Sequence, residues 1–269
     1  MNMVRRAYVE VAGLQLHYRE AGSSHLPTLL LLHQSPSTSE MYELLMQQLH
    51  QEFHLLAPDT PGFGSSDSLL EDGVSIGAYA KVMRGFLQAL GVNACAVFGH
   101  HTGAGIAVQL EHDYPGTATA MALSGPPLLN EDQQKSLPAM ASPFELAEDG
   151  GHLQQMWQRI RGKDGDAPLA LSQREVLSAL ASRDAYQGSY SAVAAQDFAG
   201  QLPGLACPVL AFAGDADVLY SCVAPALAML QKGSTVSLPG GEKTYVCERQ
   251  VSLVAEILNE YFTQNLEIK

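Results

Sequence analysis

The chain has 269 residues, 46% of them hydrophobic, and a formal net charge of −13 at neutral pH. That length fits one large α/β domain or a core with one insertion, with enough apolar side chains to fill a sizeable interior. The negative balance argues against nucleic acid or an anionic membrane as partner and disfavours an acidic substrate unless a local basic patch overrides it, and no apolar run reaches the roughly 18 residues of a membrane span.

Val4-Arg5-Arg6 is not followed by the apolar stretch of a signal peptide, so a cytoplasmic location is expected. Residues 8–11 and 14–19 alternate about Gly13 as a β-hairpin does. Residues 27–33, Pro-Thr-Leu-Leu-Leu-Leu-His, form the continuous apolar run of a strand buried on both faces. Met41, Leu44, Leu45 and Leu49 give residues 37–50 helical spacing. A strand over 53–57 then runs into Pro58-Asp59-Thr60-Pro61-Gly62-Phe63-Gly64. Ile76, Tyr79, Met83, Phe86, Leu87 and Leu90 make a helical stripe that Gly91 ends. Ala94-Cys95-Ala96-Val97-Phe98 reads as a strand, followed by a small-residue helix to about Tyr114 and a strand over 119–123. Strand and helix in alternation imply a mainly parallel sheet with helices on both faces.

The pattern breaks over residues 126–205, where helical pieces (153–160, 173–181, 190–198) are separated by Gly/Asp/Pro loops. This stretch reads as a helical insertion between a first core part, 1–125, and a second, 206–269. The second part has strands at 208–213 and 235–238, a helix near 224–230, and a closing helix with Val251, Val254, Ile257, Leu258 and Tyr261 on one face. Cys95, Cys207, Cys222 and Cys247 are widely spaced and read as reduced packing thiols. No phosphate or dinucleotide fingerprint and no metal-ligand spacing is present, so neither cofactor nor metal is expected.

Four motifs follow one another along this pattern. They are Leu32-His33-Gln34-Ser35-Pro36, Asp59-x-Pro61-Gly62-x-Gly64-x-Ser66, Gly99-His100-His101-Thr102-Gly103, and Gly214-Asp215-Ala216-Asp217. Together they resemble the α/β-hydrolase superfamily, of the type with a helical cap, over nearly the whole chain. In that resemblance they correspond to the oxyanion loop H-G-x-P, the turn D-x-P-G-x-G-x-S, the nucleophile elbow G-x-S-x-G and the acid-bearing G-x-x-D.

The chain departs from the pattern at two points. His101 stands at the nucleophile position, and the loop where the superfamily's histidine belongs reads Pro239-Gly240-Gly241-Glu242-Lys243-Thr244-Tyr245, with Glu242 or Lys243 in its place. The last histidine in the chain is His152. Gln34 also replaces the glycine of the oxyanion loop. The elbow implies that His101 is held on a strained turn, projecting into the site. A neutral imidazole there is a nucleophile or a general base near pH 7. It is long enough to reach Asp217 or Glu242, so His101, Asp217 and Glu242 are the candidate catalytic residues. The backbone amides of Thr102 and Ser35 are the candidate oxyanion hole, since backbone donors do not depend on side-chain identity. Gln34, His33 and Trp157 are the candidate substrate contacts, with Met156, Tyr186 and Tyr190 also in the cap. His100 is assigned a structural place under the turn.

Three functions fit. One is hydrolysis of a small ester, lactone or other carbonyl substrate without a Ser-His-Asp triad. Another is cofactor-free lyase or isomerase chemistry with His101 as base. The third is binding of a small ligand without turnover. The expected partner is a small carbonyl compound, with neither nucleic acid nor membrane, and the chain is expected to be a monomer or homodimer.

Overall fold

A computed structural model describes residues 3–69 and 73–266. The apolar run of residues 27–33 becomes β3 (Thr28–Leu32), and its four leucines divide between two cores. Leu30 and Leu32 face one side of the sheet, Leu29 and Leu31 the other. All four are fully buried, each worth about 1.5–3 kcal/mol relative to exposure. A run apolar at every position is therefore what a strand covered on both faces requires.

Around β3 the sheet has the order β1-β2-β4-β3-β5-β6-β7-β8. β1 (Arg5–Val11) pairs antiparallel with β2 (Leu14–Ala21), and β2 pairs antiparallel with β4 (His54–Pro58). From β4 onward, through β5 (Cys95–His100), β6 (Ala118–Ser124), β7 (Val209–Phe212) and β8 (Gly233–Thr235), every pairing is parallel. One face carries α2 (Ile76–Ala89) and α3 (Thr102–Asp113); the other carries α1 (Glu43–Leu49) and the closing helix α11 (Val251–Leu266). The remaining helices of the sheet region are α9 (Tyr220–Met229) and the short α10 (Val246–Arg249).

Between β6 and β7 lie α4 (Glu131–Met140), α5 (Gly151–Lys163), α6 (Leu169–Ala181), α7 (Asp184–Ala195) and the single turn α8 (Phe198–Gln201). Met156, Ile160, Val176, Ala179 and Tyr186 give this helical layer a small core of its own. Ion pairs tie it to the sheet domain. Arg174 on α6 pairs with Glu248 on α10, and buried Glu175 accepts a 3.0 Å hydrogen bond from Ser37 Oγ.

Several elements differ from their sequence-based expectation. α4 was not expected: none of its residues is buried, so it lacks an apolar stripe, and only its Asn130–Gln133 capping box announces it. The helix expected at 190–198 is α7, which stops before Gln196 because that side chain turns in to bond Gly105 O at 3.0 Å. The strand expected at 235–238 is shorter and earlier, continued only by a bridge from Leu238 to Gly214. Among the described residues, no helix is long and apolar enough to cross a membrane.

Candidate active site

β5 ends at His100 and α3 begins at Thr102, so the chain reverses on the single residue His101. Its backbone sits at φ 49°, ψ −110°, in the left-handed region where a non-glycine residue is strained. The flanking glycines permit the crossing. A Cβ on Gly99 would lie 2.3 Å from Gly103 O, and one on Gly103 would lie 1.9 Å from Leu32 O. The reversal is braced by His101 N–H donating to Ser124 O at 2.9 Å, while His101 O accepts from Ala104 N–H at 2.9 Å.

The His101 ring meets Asp217, which follows β7, with Nε2 2.9 Å from Oδ2. Burial alone would raise the Asp217 carboxyl. The charge and hydrogen bond of His101, with the Leu219 amide on Oδ1, overcome it and hold Asp217 down at about 2. An ionised carboxylate only accepts, so the proton of this bond belongs to Nε2. Nδ1 has no hydrogen-bond partner among the described residues. Gly125 closes the opposite side: a Cβ there would lie 2.3 Å from His101 Cδ2 and 2.6 Å from Nε2.

Two further histidines support this arrangement from below. His100 is fully buried and stacks on His101 with ring centroids 4.2 Å apart. Its Nε2 donates to Thr244 O at 2.8 Å, so Nδ1 accepts from Ser124 Oγ at 2.9 Å and the ring is neutral. Burial, then the neighbouring His101, push His100 down to about 3. His33 Nδ1 donates to Gln34 O at 2.7 Å and its Nε2 accepts from Thr60 N–H at 2.9 Å, which ties the Gln34-Ser35 loop to the turn built around Asp59. Burial lowers His33 as well.

These depressed values make a stability prediction. Below about pH 6.5 the unfolded chain protonates His100, whereas the folded chain resists until about 3. The unfolded state then binds more protons, so stability falls as pH drops through that window. His100→Gln is expected to flatten the fall in urea midpoint between pH 6.5 and 4. An unchanged slope would show that His100 is not the group responsible.

His101 opens onto a cavity of about 460 Å³ between sheet domain and helical layer. Gln34, Ser35, Thr102 and Thr244 border its floor. The amide N–H groups of Thr102 and Ser35 donate to no described residue, as the first turn of a helix and a loop before a proline allow. Gln34 Oε1 accepts from Thr244 Oγ1, and the Gln34 Nε2 donors, beside the cavity, have no partner among the described residues. The walls are mostly apolar, with Leu137, Val193 and Leu219 among them, and Tyr186 and Tyr190 contribute from α7.

The sequence profile described as the alpha/beta hydrolase fold matches residues 27–219. The chain belongs to this family. A 2-(acetamidomethylene)succinate hydrolase of Mesorhizobium japonicum is 26% identical over 267 residues, covering 94% of this chain and 93% of the relative. An uncharacterised hydrolase of Saccharomyces cerevisiae is 31% identical over 109 residues, 40% of this chain and 38% of the relative. The chain thus spans well under half the length of the curated relative matched over that segment. The enol-lactonase of Burkholderia xenovorans LB400 superposes with a TM-score of 0.81 at 17% identity, covering 96% of this chain and all of that one. Membership puts this α/β hydrolase among hydrolase-family enzymes.

The structure brings together His101, Asp217, Thr102, Ser35 and Gln34, and leaves three expected site residues outside. Glu242 does not border the cavity, and its carboxylate accepts from Arg249 Nε at 2.7 Å. His33 has both nitrogens committed to backbone bonds and does not border the cavity. Trp157 packs with Met156 against the helical layer's own core, while Tyr186 and Tyr190 face the cavity. Lys243 borders the cavity and lies 3.5 Å from Asp164. The cavity residues Arg159 and Lys163 escaped the sequence reading. Their one signal was a four-residue spacing on a single helix, which is common on exposed faces.

Proposed function

We propose that this α/β hydrolase acts on a small ester, lactone or related carbonyl compound without a cofactor, with His101 as general base. The observation that carries the reading is the 2.9 Å bond from His101 Nε2 to Asp217 Oδ2. With its proton fixed at Nε2, the ring has one basic atom to offer, Nδ1. Nδ1 lies beside the ring carbon that bears the side chain. An acyl group on it would crowd the elbow's own backbone, whereas taking a proton from water needs only the lone pair. The water oxygen then bonds to the carbonyl carbon, and the carbonyl electrons move to an oxyanion that the Thr102 and Ser35 amides are free to bind. Collapse expels the alkoxide, which recovers the proton from Nδ1. Asp217 stabilises the imidazolium between these two transfers. The relatives named for a succinate-derivative hydrolase and an enol-lactonase support a carbonyl substrate.

A mostly apolar cavity wall favours one further use of the same base, removal of a proton from substrate carbon to give an enolate held by the same donors. Solvent deuterium entering a carbonyl compound without net hydrolysis identifies it. Rapid-quench mass spectrometry with activated esters separates base from nucleophile, since an acyl adduct on His101 marks the nucleophile.

Asp217→Asn tests the dyad. It removes the charge and, because the Leu219 amide claims the one remaining oxygen, turns an NH2 group toward Nε2, so kcat is expected to fall about 10²-fold or more. Because Asp217 titrates near 2, the acid limb of the wild-type rate profile above pH 4 is not its own. An unchanged kcat in Asp217→Asn sinks the dyad.

A further inference from the structure

The chain carries 15 lysines and arginines against 28 aspartates and glutamates. Three of the basic side chains, Arg159, Lys163 and Lys243, border the cavity above His101, and no acidic residue does. Lys243 is answered from outside by Asp164 at 3.5 Å and Asp166 at 3.7 Å. Arg159 and Lys163 have no carboxylate partner among the described residues. Arg159 donates to Ser142 O at 2.7 Å and its guanidinium lies 3.9 Å above the Phe144 ring. Lys163 Nζ donates to Tyr190 Oη at 3.1 Å and sits 5.7 Å from the ring centres of Tyr186 and Tyr190.

This is a costly way to place two cations. They stand four residues apart on α5, where like charges share a face and repel. They also face a mostly apolar wall while half-buried, so water meets their charge only in part. Neutral contacts with a carbonyl oxygen and aromatic faces orient both groups without neutralising them. Tyr190 is itself held protonated, pushed up to about 12 by burial, so its hydroxyl accepts from Lys163 and still has a proton to donate. A cation with a neighbouring hydroxyl, and a guanidinium whose fork matches a carboxylate, together make an anion site.

We propose that Lys163, Tyr190 and Arg159 form a carboxylate-binding site, and that the substrate is a small acid bearing its carboxylate at the cap end of the cavity. The ligand's orientation, with its reacting carbonyl at the floor and a short apolar span between, rests on the reading of His101 as the reacting group; the anion site itself does not. The site reverses locally what the net charge of −13 disfavours.

The test is binding of hexanoate and of its neutral counterpart hexanamide to the full chain, read by calorimetry or by fluorescence of Trp157 on the same helix. Hexanoate is expected to bind the wild type about tenfold or more tightly than the amide, as charge-assisted bonds require. Lys163→Met is expected to abolish the preference, Arg159→Gln to reduce it, Lys163→Arg to keep it, and His101→Ala to leave it intact. Should Lys163→Met melt early, salt reads the same attraction in the wild type: acid binding weakens with ionic strength and amide binding does not. Equal binding of acid and amide to the wild type, or a salt-independent preference that survives in Lys163→Met, overturns the anion site. Turnover that persists in His101→Ala overturns the base instead and leaves the acid preference standing.

Discussion

His101→Ala is expected to lower kcat by about 10²–10⁴-fold, the range a positioned general base supplies. Histidine and alanine both carry a Cβ, so the strained φ of 49° costs each about the same and the elbow keeps its shape. The variant does strand Asp217, whose side chain is 1% exposed, without its Nε2 donor. A buried acceptor left unmet costs about 1–3 kcal/mol, so a lower melting temperature accompanies the lost activity. Adding Asp217→Asn is expected to recover much of the stability and none of the turnover, which separates the two effects. His101→Ser restores the elbow's usual residue but not esterase activity, because no histidine follows His152 to serve as its base. Full turnover in His101→Ala, or brisk ester hydrolysis in His101→Ser, ends this account.

Gly125→Ala is expected to do nearly as much harm from outside the dyad. The new methyl would lie 2.3 Å from His101 Cδ2, too close for any real contact, and the ring must swing away from Asp217. Gly125 has φ 61°, so a backbone penalty on the order of 1–2 kcal/mol is added. Gly116→Ala is the control: φ is 87° and nothing lies within 4 Å of the added carbon. It bears the backbone penalty without touching the ring. Loss of kcat in Gly125→Ala, with a normal rate in Gly116→Ala, ties activity to the ring's position. Equal rates in both variants show that the bond to Asp217 does not matter.

The sheet was legible because its signals are redundant. The leucine run of β3, the stripe of α2 and the glycine pair at the elbow each leave few structural choices. Asp217 was legible as a partner because imidazole is long and the strand ends converge. Glu242 misled because its competing partner, Arg249, lies only seven residues away in a stretch with no periodic pattern. Trp157 and Tyr190 could not be told apart, since which helical face meets the cavity depends on how the cap docks. That docking is set by pairs such as Arg174–Glu248, between residues 74 positions apart. His33 looked like a ligand-facing group because a histidine wholly consumed by backbone bonds leaves no trace in sequence.

The strand register bears on precision. His100 sits opposite Ser124, and Ser124 opposite Phe212, at the neighbouring ends of β5, β6 and β7. His101 and Asp217 follow the first and last of these ends. Two adjacent rungs of backbone hydrogen bonds thus fix where His101 and the turn that carries Asp217 set out from the sheet. The loop that displays Lys243 is part of the same mount, since Thr244 O accepts from His100 Nε2 beneath the His101 ring and Glu242 O accepts from Ala216 N–H beside Asp217.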